Sequence, residues 1–218
     1  MTRKAIIAGA SGLVGNHLLN ELLASREYDS VTALLRRPLD LQHPVLTQRV
    51  VDFERIDTLE LPTGSAAADT VFCCLGTTIK AAGSRAAFRH VDHDYVLAIA
   101  RSALDAGARQ FLLVGSMGAD ARSPFFYMRV KGQIEDELRG LPYASVSVFR
   151  PAYLAGQRQQ RRLAEDVAGA FMQRLAFLMP RAYRPIAAQA VARAMLAQAR
   201  KAPPGFHVIE SGELQDFA

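Results

Sequence analysis

Three sets of residues in this sequence have types and spacing that can do chemistry. Tyr127 and Lys131 lie four apart in a stretch that predicts a helix, so both project from one face. A tyrosine is a poor proton donor near neutrality because its ordinary pKa is about 10. An ammonium beside it stabilises the phenolate and draws that value down, so Tyr-x-x-x-Lys can transfer a proton. The pattern is short, and alone it describes a surface pair more readily than a catalytic one. Ser116 closes the apolar run Phe111-Leu112-Leu113-Val114-Gly115 and can offer its hydroxyl to a carbonyl oxygen or to the tyrosine. Its bland reading is a strand-end cap. The third set is Gly9, Gly12 and Gly15 in Ala5-Ile6-Ile7-Ala8-Gly9-Ala10-Ser11-Gly12-Leu13-Val14-Gly15, an apolar strand turned into a helix. Glycine tolerates the positive φ of a tight turn and lets a phosphate approach the backbone. The helix behind it offers unpaired amides and a partial positive charge to an anion. A dinucleotide pyrophosphate is held in this way, although the spacing is GxxGxxG and not GxGxxG. Ordinary turn geometry is the competing reading.

Further candidates lie at the ends of other apolar runs. Val31-Thr32-Ala33-Leu34-Leu35 is followed by Arg36 and Arg37, where an acid would bind a ribose 2′-hydroxyl and repel a 2′-phosphate. A guanidinium instead pairs with phosphate and stacks on adenine, which favours NADPH over NADH. The alternative is two arginines that merely solvate a strand end. Asp52 can accept a hydrogen bond from an adenine amino group or cap the next helix. Leu75-Gly76-Thr77-Thr78 can pass beside a ribose or serve as a plain turn. His90 and Asp94 share a helix face, but no third ligand is evident and no metal is expected. Arg158 to Arg162 form a solvated loop or a reach toward an anionic substrate, and Met172, Leu175, Phe177, Leu178 and Met179 form a core or lid stripe.

The elements that must position these residues alternate. Predicted strands are 4–8, 30–35, 46–51, 70–74, 110–115, 145–149 and 205–209. Predicted helices are 12–25, part of 55–61, 85–106, 125–139, 164–178 and 186–200. Gly107 is placed to cap the third of these, and Ser123-Pro124 to start the fourth. The alternation predicts an α/β fold, a mostly parallel sheet of about seven strands with helices on both faces. The length of 218 residues suits one such domain, 1–218, and half the residues are hydrophobic, enough for a large core. No run approaches a membrane span, and the first residues do not read as a signal peptide. Cys73 and Cys74 are adjacent and point to opposite faces of a strand, so they are expected to be free thiols, which suggests a reducing cytoplasm. The net charge of +5 carries no aromatic-rich basic strand, so neither nucleic acid nor a membrane is the expected partner.

Taken in order, the glycine turn, the basic end of the second strand, Ser116 and Tyr127-x-x-x-Lys131 resemble the short-chain dehydrogenase/reductase superfamily. The glycine spacing and Phe149-Arg150-Pro151-Ala152 look like its atypical or extended branch. Leu75-Gly76-Thr77-Thr78, Val91-Asp92-His93-Asp94-Tyr95-Val96, Gly115-Ser116-Met117-Gly118-Ala119-Asp120, Val130-Lys131-Gly132-Gln133-Ile134-Glu135 and Val191-Ala192-Arg193-Ala194-Met195 are similar to its Tat-interacting protein 2-like group. The resemblance implies a three-layer Rossmann-type domain binding NADPH. It implies that Gly9, Ser11, Gly12, Leu13, Val14 and Gly15 line the pyrophosphate, and that Arg36 and Arg37 meet the 2′-phosphate. Asp52 and Phe53 would lie by the adenine, Leu75, Gly76 and Thr77 by the ribose, and Pro151, Ala152 and Leu154 by the nicotinamide. Ser116, Tyr127 and Lys131 would form the reductase triad, with Gly115-Ser116 reducing the usual serine doublet to one hydroxyl. The implied activity is carbonyl reduction by hydride transfer, with a small substrate-covering segment within 151–218. The rival readings are a non-catalytic NADPH sensor or scaffold with a protein partner, and an NAD-dependent sugar-nucleotide epimerase or dehydratase. Monomer and dimer both stay open.

Overall fold

Short apolar runs bounded by turn residues form the strands, and helices with one apolar stripe join them. The computed structural model describes residues 3–64, 67–155 and 179–218. In chain order the elements are β1 (Lys4–Ala8), α1 (Leu13–Ser25), β2 (Ser30–Leu35), β3 (Leu46–Val50), β4 (Thr70–Cys73), α2 (Ile79–Ala82) and α3 (Arg85–Arg89). There follow α4 (Tyr95–Asp105), β5 (Gln110–Val114), α5 (Phe126–Gly140), β6 (Ser145–Arg150), β7 (Leu154–Ala155), β8 (Ile186–Ala187), α6 (Ala188–Lys201), β9 (Gly205–Glu210) and α7 (Ser211–Leu214). Seven strands form one sheet in the order β3-β2-β1-β4-β5-β6-β9, and every pairing is parallel. The order reverses between β1 and β4, the kind of point at whose carboxyl side open α/β sheets bind their ligands. This is the three-layer Rossmann-type α/β fold.

Alternate residues of each strand feed two cores. Ala5 and Ile7 pack with Leu18, Leu19, Leu22, Val191 and Met195 of α1 and α6 on one face. Ile6 and Ala8 pack with Val96, Ile99, Ile134 and Leu138 of α4 and α5 on the other. Burial of each such leucine or isoleucine contributes about 1.5–3 kcal/mol. The adjacent cysteines obey the same alternation. Cys73 belongs to the α4/α5 core and Cys74 packs against the α1/α6 core, and both are free thiols.

The glycine turn is built by close contact. Gly9 has φ +84°, and a Cβ there would stand 2.6 Å from the Cys74 carbonyl carbon. A Cβ on Gly15 would stand 2.1 Å from the Gly9 carbonyl oxygen, so the first turn of α1 rests directly on backbone. Gly12, by contrast, is extended (φ −81°, ψ 173°) and needs no special conformation.

Three predicted boundaries change. The stretch 85–106 is not one regular helix, because His90–Asp94 forms a π turn between α3 and α4. Its end is as expected: Gly107 donates to Leu104 and Ala108 to Ala103, the paired bonds of a Schellman cap. Ser123-Pro124 does not open α5. Phe125 is the N-cap residue, and Ser123 Oγ accepts from the Phe125 amide instead, ending the preceding loop. Ile186 and Ala187 pair with Leu154 and Ala155 as a small second sheet, so α6 begins only at Ala188. The predicted helix 164–178 and the loop 156–162 lie outside the described residues.

Gly15→Ala is expected to lower the unfolding free energy by about 1–3 kcal/mol, the usual cost of overpacking against an unyielding neighbour. Gly12→Ala, whose Cβ would lie 3.2 Å from the same oxygen, should cost less. Urea denaturation of the two variants measures the difference, and the reverse ranking would contradict the contact.

Candidate functional site

The residues picked out by their chemistry follow the carboxyl ends of β1 to β6, except Tyr127 and Lys131, which lie on α5. Beyond β1, the Gly12 amide donates to the Gly9 carbonyl at 2.9 Å and closes the turn. Gly12 is the N-cap of α1 and has no side chain to satisfy the first amides, and the first turn carries no acidic residue. Ser11 and Gly12 are exposed, Leu13 is half-buried, and Val14 and Gly15 are buried beneath them. The result is an uncapped helix end of positive partial charge, with bare backbone where a Cβ would obstruct. A pyrophosphate fits this cradle.

Parallel pairing of Ala8 with Leu34 brings Arg36 and Arg37 to the same edge, both exposed. Asp52, after β3, takes the capping role. Its Oδ1 accepts from the Glu54 amide at 3.0 Å and starts the 3-10 turn Phe53–Thr58. Phe53 is buried and packs against the Tyr95 ring with centroids 5.6 Å apart. Thr78 caps α2 by accepting from the Ala81 amide.

Ser116 follows β5, and Tyr127 and Lys131 lie on α5. Ser116 is half-buried, and its Oγ donates to the Met117 carbonyl at 3.4 Å. Tyr127 is half-buried, with its ring 5.3 Å from that of Phe88. Lys131 is buried at 5 % exposure one helical turn on. Its Nζ lies 2.7 Å from Asp92 Oδ1, and Asp92 is 1 % exposed. Burial alone would push the Lys131 pKa down; Asp92 and then Tyr127 reverse this and hold it above the ordinary lysine value. The other Asp92 oxygen accepts from the Thr77 amide at 2.8 Å, so one carboxylate joins the lysine to the loop after β4.

Beyond β6, Pro151 is buried, and Ala152 and Leu154 are half-buried. The Pro151 carbonyl accepts from the Met117 amide, which joins this segment to the loop that carries Ser116. The Ala152 amide donates to Ser211 Oγ. Arg150 is clamped by Glu135 of α5 at 2.5 Å and by Glu210 of β9 at 3.0 Å. Burial pushes the Glu135 pKa up against the opposing pull of Arg150.

This arrangement has relatives. Residues 9–201 match the NAD(P)H-binding family. The chain belongs to that family. Within it the chain belongs to the HTATIP2-like group. It is 40% identical over 172 residues to Protein HTATIP2 of Rattus norvegicus, covering 78% of this chain and 70% of that protein. It is 35% identical over 173 residues to "Protein FMP52, mitochondrial" of Coccidioides immitis, covering 75% of this chain and 70% of that one. In fold it resembles an oxidoreductase of the short-chain dehydrogenase/reductase family from Burkholderia thailandensis, with a TM-score of 0.70 and 19% identity over 99% of this chain and 94% of that one.

Membership of this family corrects the cytoplasmic expectation. That expectation came from two unbridged thiols, yet the FMP52 relatives are named mitochondrial. The physical reason is local. Burial pushes the Cys73 thiol up to about 12 and Cys74 well above its ordinary value, which keeps both inert whatever the compartment.

Two features of this family member escaped the sequence reading. Asp92 enters the sequence analysis only within the stretch 91–96 that carries the family resemblance, although a carboxylate on the same stretch as the buried Phe88, Tyr95 and Ile99 signals a buried partner. The Glu135–Arg150 clamp was also missed; Glu135 lies four residues after Lys131 on the same helix face. The π turn itself is a junction. His90 meets Asp94 at 3.1 Å and Glu54 at 3.2 Å, and His93 meets Asp94 at 2.8 Å and Glu137 at 3.1 Å. His90 and Asp94 therefore do share a face, and they use it on each other.

Asp94, then Glu54, raise the His90 pKa, while its partial burial opposes them. A raised folded-state value stabilises the fold fully below the ordinary histidine value of about 6.5 and is lost as pH climbs through the raised one. The His90 side chain is 45% exposed, so solvent screens the effect. The melting temperature of the wild type should exceed that of His90→Asn by a few degrees at most near pH 6, and the gap should close by about pH 8. Melting curves across that range check it, and a gap that widens with pH would exclude the clasp.

Proposed function

We propose that this chain is an NADPH-dependent oxidoreductase that reduces a carbonyl group, with Ser116, Tyr127 and Lys131 as its catalytic residues. The observation that carries the reading is a charged lysine, 5 % exposed, one helical turn from Tyr127 at the carboxyl ends of the strands. Burying a charge is costly, and a fold that does so beside a phenol has a use for the field. When bound, NADPH supplies the hydride to the carbonyl carbon. The Ser116 hydroxyl donates a hydrogen bond to the carbonyl oxygen and orients it. The Tyr127 hydroxyl gives its proton to that oxygen, so the product is an alcohol. Lys131 stabilises the phenolate left on Tyr127.

Gly9, Ser11, Gly12, Leu13, Val14 and Gly15 would cradle the pyrophosphate. Arg36 and Arg37 would select the 2′-phosphate, since no acid stands at the end of β2 to repel it. Phe53 would border the adenine beside Asp52; Leu75, Gly76 and Thr77 the ribose; Pro151, Ala152 and Leu154 the nicotinamide. The substrate is a small carbonyl compound.

Tyr127→Phe should keep NADPH affinity and lose about 10²–10⁴-fold in turnover. Cofactor titration and steady-state kinetics with a panel of aldehydes and ketones measure the two separately, and undiminished turnover removes Tyr127 from the mechanism. Arg36→Ala should weaken NADPH by about tenfold or more, the worth of one charge-assisted contact, and NADH much less. Equal losses for both cofactors would place the phosphate elsewhere.

A further inference from the structure

The two stretches that meet at Tyr127 are charged in one sense. Residues 75–91 contain Lys80, Arg85 and Arg89 and no acid, and residues 121–134 contain Arg122, Arg129 and Lys131 and no acid. Phe88 joins them. It is fully buried, with its ring 5.9 Å from that of Phe126 and 5.3 Å from that of Tyr127. Arg85, one turn before Phe88 on α3, is exposed, and its guanidinium lies 5.4 Å from the centre of the Phe126 ring. The Arg129 guanidinium lies 5.9 Å from the same centre.

The acids that border these stretches are engaged. Asp92 pairs with Lys131, Asp120 with Arg122 and Glu135 with Arg150. Arg129 donates to the Ser123 and Pro124 carbonyls, and Arg89 to Gln133. Among the described residues no carboxylate or carbonyl pairs with the Arg85 guanidinium, whose contact is the Phe126 ring. Surface charge that serves solubility alone mixes both signs. Like charges gathered beside a site raise the local concentration of an anion instead. A guanidinium resting on an aromatic face keeps its N–H fork for a carboxylate or a phosphate. The phosphates of a cofactor already have the glycine turn and Arg36 in the reading above, and Arg85 stands on the far side of the ribose-bordering loop from both. We propose that the substrate is an anionic carbonyl compound, whose carboxylate or phosphate Arg85 binds while Tyr127 acts on the carbonyl. The turnover part rests on the reductase reading; the anion site does not.

A matched set of aldehydes tests it: para-formylbenzoate, its uncharged methyl ester, and para-formylphenyl phosphate. With NADPH, the wild type should prefer an anion to the ester in kcat/KM, and Arg85→Gln should reduce that preference about tenfold, the worth of one charge-assisted contact. The change should fall mainly in KM, because Arg85 does not reach the reacting atoms. Arg85→Lys, which keeps the charge and loses the fork, should restore part of the preference. A larger loss with the benzoate assigns a carboxylate, and a larger loss with the phosphate ester assigns a phosphate. Equal losses for ester and anions, or a preference that Arg85→Gln leaves unchanged, would overturn the inference and leave the reductase reading in place. If the wild type reduces none of the three, NMR titration of the two anions into cofactor-free wild type and Arg85→Gln decides. Saturable binding that the variant weakens about tenfold would keep the anion site and remove the reductase reading alone. Binding equal in the two proteins, or absent from both, would remove the anion site as well.

Discussion

Helix α1 begins on the carbonyl oxygen of Gly9, with Gly15 so close that a single methyl group would stand 2.1 Å from it. Backbone against backbone leaves no side chain to yield, so the first turn of α1 is held at one height above the sheet. Gly9 is wedged in turn against the Cys74–Leu75 peptide at the end of β4. The glycine turn and the loop after β4 are therefore placed relative to each other by contact. The parallel registers of β1 with β2 and β4 then bring Arg36 and Leu75–Thr78 to the same edge. An anion cradle and the walls beside it follow from one packing constraint at the point where strand order reverses.

The π turn is the second organising element. Its five residues reach three parts of the molecule: Glu54 after β3, Thr77 after β4, and Lys131 and Glu137 on α5. A regular helix presents one stripe to the core, whereas the extra residue of a π turn lets neighbouring side chains face different elements. Buried charge is compensated pairwise around it. Asp92 meets Lys131, and Glu135 meets Arg150, which Glu210 also holds from the last strand. Removing either member of such a pair leaves an unpaired charge at depth, so the pairs specify how α5 sits on the sheet. That same helix carries Tyr127.

Membership of the NAD(P)H-binding family agrees with this geometry, because the family match begins at Gly9 itself. The thiols show where composition misleads. Cys73 and Cys74 are free because adjacent strand residues diverge and because burial suppresses ionisation, and neither reason refers to the compartment.

Strands buried on both faces are continuous apolar runs, and all seven of the large sheet were legible within a residue at either end. Gly107 announced the end of α4 because a Schellman cap is a local motif. Ser116, Tyr127 and Lys131 were legible as types in order, since i and i+4 on a helix share a face whatever surrounds them. Other choices were closed to any local reading. The Asp52 carboxylate had two equal uses until the 3-10 turn engaged it as a cap. Ile186 and Ala187 looked helical until Leu154 and Ala155 arrived to pair with them. Asp92 lies 39 positions from Lys131, and Arg150 lies 60 from Glu210, so no periodicity connects them. The order of residues determined which stretches are strands, which are helices and which chemistry each end can offer. The sheet order alone decided which distant charges meet, because a charge pair depends on distance in space and burial, and both exist only once the layers have closed.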